Sequence, residues 1–137
     1  MPPDVVSEGN GSVAIERVQW NLAATLPPGC AACAQDLSAI YGFYSRAFPD
    51  SRGALLSYTK DAVLPVFYGI TTAEFTTGLD EVLADQIAPT TNFRTFLVGA
   101  AGHELWFTPS LASSTVTVQQ FVTQMVTDDA SWASVQP

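Results

Sequence analysis

Apolar positions recur along this chain in two rhythms, one of three to four residues and one of short unbroken runs. Over residues 13–26, Val13, Val18, Leu22 and Leu26, with Ile15 and Trp20 nearby, predict a helix capped by Ser12 and stopped by Pro27 and Pro28. Over 36–48, Leu37, Ile40, Tyr41, Tyr44 and Phe48 predict a second helix that ends before Pro49. The rhythm then changes. Residues 54–59 form a short apolar run after a Pro-Asp-Ser-Arg-Gly turn and predict a buried strand. A helix opening at Thr72 carries Phe75, Leu79, Val82, Leu83 and Ile87 on one face as far as Pro89. Residues 93–99 predict a second strand, and a last helix from about Thr117 shows Val118, Phe121, Val122, Met125 and Val126 as its stripe.

The order strand, helix, strand, helix, with strands apolar on both faces, predicts an α/β fold with a parallel sheet and flanking helices. Residues 1–12, rich in Pro, Gly, Asn and Ser, are expected to be an irregular entry segment, and 13–137 part of a single domain. Two strands leave two bare edges, so such a sheet needs further strands from elsewhere. The chain alone is then expected to self-associate through its unpaired edge.

Charge narrows the partners. Thirteen acidic against five basic residues give a net charge of −8, which repels phosphate backbones, so nucleic acid is excluded as a partner. No run approaches the roughly 18 apolar residues of a membrane span, and the N-terminus has neither the basic flank nor the apolar core of a secretory signal. Cys30 and Cys33 form a single C-x-x-C. A zinc site would need two more ligands, which a chain with one histidine hardly supplies. A structural role is expected, as a local bridge or as bridges to cysteines outside this chain.

In open α/β sheets, functional groups gather beyond the carboxyl ends of the strands. Asp61 follows the first predicted strand by two residues, and His103 follows the second by four. An acid and a histidine on loops after consecutive parallel strands would face one crevice, and the order Asp61 before His103 fits the second half of the Ser, Asp, His order of α/β-hydrolases. Singly, each residue has a plainer reading. Asp61 is placed to cap a short helical turn leading to Pro65, and a lone loop histidine is more often incidental than catalytic. Asp80, Glu81 and Asp85 read as the solvated face of a helix. Glu104 is too close to His103 in sequence to orient it, and Asp128 and Asp129 close the last helix without a catalytic role. No G-x-S-x-G occurs, since Gly9-Asn10-Gly11-Ser12 lacks the closing glycine. With no H-E-x-x-H, P-loop or dinucleotide fingerprint, neither metal nor cofactor is expected.

Three segments resemble the C-terminal region of pectin acetylesterase-like α/β-hydrolases: 54–61 running on to Val66-Phe67-Tyr68-Gly69, 92–103, and the tail 120–135. The cysteine pair after Leu26-Pro27-Pro28 fits as well. The resemblance covers about residues 18–135. It implies that Asp61 and His103 match the family's acid and base, and that the nucleophilic serine lies upstream of this chain. It also implies an extracellular or periplasmic parent that removes small acyl groups from carbohydrates or other ester substrates. The alternative is a small α/β interaction protein in which Asp61 is a cap and His103 is incidental.

Overall fold

Two long parallel strands carry the molecule, and helices lie over both of their faces. The computed structural model describes residues 18–137. The entry segment 1–12, the Ser12 cap and the start of the helix expected over 13–26 lie outside the described residues. The rest of that helix is interrupted. Asn21 takes a left-handed conformation (φ 48°), which a short polar side chain tolerates better than most, and only a single turn, α1 (Leu22–Thr25), follows. A 3₁₀ turn over Ala31–Ala34 then buries Cys33, which is bonded to Cys30 across a Cα separation of 5.4 Å.

The helix expected from Asp36 begins three residues later, as α2 (Ala39–Ala47). The cause is local: the Asp36 carboxylate accepts from the Ser38 amide at 2.8 Å, and this side-chain turn takes the place of the first helical turn.

Strand β1 (Gly53–Asp61) pairs in parallel with β2 (Phe93–Gly102). Both run further than the apolar pattern indicates. The crossover between them holds a short helix, α3 (Leu64–Tyr68), and a longer one, α4 (Thr72–Glu81), which widens into a π-helical turn over Val82–Ile87. Helix α4 opens at Thr72 as expected, and Thr71 caps it: it accepts from the Glu74 amide while the Glu74 carboxylate accepts from the Thr71 amide. After β2 come a two-residue hairpin, β3 (Ala112–Ser113) with β4 (Val116–Thr117), and the last helix, α5 (Val118–Val126). Thr117 and Gln120 form the same reciprocal cap on α5.

On one face of the sheet Phe96 and Val98 pack with Leu105, Val118, Phe121 and Trp132. The Phe96 and Phe121 rings lie 5.3 Å apart and both residues are fully buried. Leu97, one residue out of phase, is buried too, so β2 is covered on both sides, as the unbroken apolar run requires. Its outer edge is held by the tail, where the Leu97 amide donates to Val135 and the Val135 amide donates to Thr95, at 3.0 and 2.8 Å. The outer edge of β1 has no strand beside it among the described residues. No helix there is long and apolar enough to cross a membrane.

Candidate active site

The site forms where β1 and β2 end side by side. Asp61 is the last residue of β1, and His103 is the first after β2. Both sit at the strand ends themselves, not two and four residues beyond, because the parallel ladder continues through Lys60↔Ala101 and Asp61↔Gly102. Those extra rungs follow an irregularity. From Tyr58↔Val98 to Lys60↔Ala101, β1 advances two residues and β2 three. The extra residue in β2 is a bulge, a device that bends a strand and re-aims the side chains after it.

Glycine is required just before the histidine. A Cβ on Gly102 would fall inside the van der Waals radii of the Tyr58 ring atoms Cε1, Cε2 and Cζ. Tyr58 is itself packed against the buried cluster around Phe96, so the ring cannot move aside without disturbing the core.

His103 Nδ1 lies 2.9 Å from Asp61 Oδ2 and 3.2 Å from Oδ1. Asp61 is 5% exposed, whereas the histidine ring is 36% exposed, so the acid is sheltered and the imidazole reaches outward. The same carboxylate caps α3, since Oδ1 accepts from the Val63 and Leu64 amides at 2.8 and 2.7 Å. Capping and pairing with His103 are therefore not alternatives, because Asp61 does both. Burial alone would push the Asp61 carboxyl up. The hydrogen bonds from the Leu64 amide, the His103 ring and the Val63 amide outweigh it, and the group lies below the ordinary carboxylate value.

An ionised carboxylate can only accept, which fixes the proton on Nδ1. In the neutral ring the lone pair is then on Nε2, and Nε2 meets no hydrogen-bond partner among the described residues. The arrangement can take a proton at Nε2, and the adjacent carboxylate stabilises the imidazolium that forms.

Beneath the pair, between β1, α2 and α4, lies a cavity of about 180 Å³ with Asp61 and His103 in its wall. The other acids stand apart from it. Asp80, Asp85 and Glu104 are exposed, and Glu81 is half-buried on α4. Asp128 pairs with Arg52 at 2.6 Å, and Asp129 accepts from the Ser131 amide and hydroxyl. The Cys30–Cys33 pair is closed by its own disulfide, which leaves no thiol there to ligate a metal. No group of three or more His, Cys, Asp or Glu side chains able to hold a metal occurs among the described residues. Tyr41 also lines the cavity, and sequence reasoning missed it because its place in the apolar stripe of α2 marked it only as core.

Compared with known proteins, the chain matches no family model, no curated protein and no solved structure.

Proposed function

We propose that this chain supplies the acid and the histidine of a serine carboxylic-ester hydrolase of the pectin acetylesterase-like kind, whose nucleophile is carried by polypeptide outside these 137 residues. The observation that carries the reading is the 2.9 Å contact between His103 Nδ1 and Asp61, made at adjacent ends of parallel strands with Nε2 left unpartnered among the described residues. In the reaction, the serine Oγ attacks the ester carbonyl carbon as its proton passes to Nε2. The C–O bond to the alcohol then breaks, and the imidazolium returns the proton to the departing alcohol. Water, activated by the same nitrogen, hydrolyses the acyl-serine and restores both residues. The substrates are acylated carbohydrates or other small esters, and the parent is exported.

The alternative of a small interaction protein predicts side chains that point apart, and the short Asp61–His103 contact weighs against it. The test is a fluorophosphonate probe. A longer protein that joins this chain to an in-frame upstream segment with G-x-S-x-G is expected to be labelled, and this chain alone to stay unlabelled. Within the labelled protein, His103→Ala is expected to slow ester turnover by about 10³-fold or more. Labelling of the isolated chain, or turnover unaffected by His103→Ala, would sink the reading.

A further inference from the structure

The cavity beneath the Asp61–His103 pair has features that neither capping nor proton transfer uses. Its walls are mostly apolar, with Leu55 from β1, Leu64 from α3, and Phe75, Leu79 and Val82 from α4 and its continuation. Two hydroxyl-bearing residues, Tyr41 and Ser57, also line it. Ser57 is already engaged, donating to the Tyr58 carbonyl at 2.9 Å. Tyr41 packs edge-on against Phe93 at 5.8 Å, and its hydroxyl makes no hydrogen bond to any described residue. Burial pushes that phenol up, so it stays protonated and available as a donor.

A half-buried donor with no protein acceptor among the described residues, beside apolar side chains, has the make-up of a ligand pocket with one orienting polar group. Size sets the ligand class: a dry cavity of roughly 150 Å³ accepts a benzene molecule, so about 180 Å³ accommodates about six carbons. Charge sets it further. The ionised Asp61 in the wall and the net charge of −8 disfavour an anion.

We propose that this cavity is a binding site for a neutral molecule bearing an apolar group of about six carbons and one hydrogen-bond acceptor, which the Tyr41 hydroxyl engages. The assignment of that group as the acyl chain of an ester rests on the function proposed above, but binding itself does not, because the lining residues all belong to the described part of this chain.

The experiment is a titration of the isotope-labelled chain followed by NMR, with hexanamide as an unreactive neutral probe and acetamide and hexanoate as comparators. Hexanamide is expected to shift the methyl resonances of Leu55, Leu79 and Val82 in a saturable manner. It is expected to bind at least tenfold more tightly than either comparator, the acetamide gap coming from buried methylenes. Tyr41→Phe removes a hydroxyl with no hydrogen-bond partner among the described residues, so the fold is expected to stay unchanged while hexanamide affinity falls threefold or more. Equal binding of hexanamide and acetamide, unchanged affinity in Tyr41→Phe, or shifts centred instead on the surface groove that Trp106 and Val122 line beside α5 would each overturn the proposal. The two readings fail separately. Saturable shifts in the cavity with no probe labelling of the longer protein would remove the hydrolase and keep the site, whereas labelling with no shifts would do the reverse.

Discussion

Asp61 binds the amides at the start of α3 and orients an imidazole with the same carboxylate, and its charge strengthens both interactions. Its carboxyl is held below the ordinary value of about 3.9. A depressed folded-state value contributes stability that is fully present above the unfolded-state value and is lost as pH falls through the folded one. Asp61→Asn keeps an oxygen for the Val63 and Leu64 amides but gives up the charge. It is expected to be less stable at pH 7, by about 1 kcal/mol for each hydrogen bond that changes from charged to neutral. The gap should narrow progressively below about pH 4. Urea unfolding at a series of pH values measures it, and a gap constant down to pH 2 would contradict the assignment. Gly102 offers a second check. Gly102→Ala presses a methyl into the Tyr58 ring, and relieving an overpacked contact costs about 1–3 kcal/mol. The rearrangement falls on the residue before His103, so the downfield Nδ1 proton resonance of the Asp61–His103 bond is expected to weaken. Adding Tyr58→Leu should restore it, and a resonance unchanged in Gly102→Ala would show that the register is set elsewhere.

At the scale of elements, the parts of the fold legible in the sequence are those with an uninterrupted apolar period. Both strands and the helices after them are where Leu55, Leu79, Leu97 and Phe121 place them. That Asp61 and His103 would meet was readable because both follow consecutive parallel strands, and that placement survives an error of several residues in where the strand stops. The extensions through Lys60-Asp61 and Ala100-Ala101-Gly102 were not readable, because small and charged residues carry no strand signal and only a bulge in β2 keeps them paired. The tail pairing through Val135 and the two-residue hairpin are likewise too short to leave a period. Asn21 breaks a helix that apolar spacing alone continues. Helix starts depend on side-chain caps as much as on the stripe, and α5 shows this. Thr117→Ala removes the acceptor for the Gln120 amide and is expected to cost about 1 kcal/mol in denaturant unfolding. Thr117→Ser, which keeps the hydroxyl, should recover most of it, and an equal loss in both variants would argue against the cap.

Across the whole molecule the two edges of the sheet are treated differently. The outer edge of β2 is covered by the tail, and the tail is pinned: Trp132 lies in the buried cluster with the guanidinium groups of Arg52 and Arg94 at 5.1 and 5.5 Å from its ring. Arg52 in turn donates to the Gln124 and Asp129 carbonyls and pairs with Asp128. Nothing comparable covers the outer edge of β1 among the described residues. Beside it lies an open groove of about 530 Å³ into which Leu56, Trp106 and Val126 all face, and Trp106, Phe107 and Val126 are exposed. An unpaired strand edge next to apolar surface favours pairing with another chain, while a net charge of −8 on each copy opposes it. The balance has a definite sign with salt. Screening weakens repulsion between copies and leaves backbone pairing and apolar burial in place, so self-association of the isolated chain is expected to strengthen as sodium chloride rises from 10 to about 300 mM. Sedimentation velocity at micromolar concentrations measures it. Association that weakens with salt would mean that charge pairs hold the copies together, and a monomer at every salt concentration would mean that the β1 edge is not open to pairing.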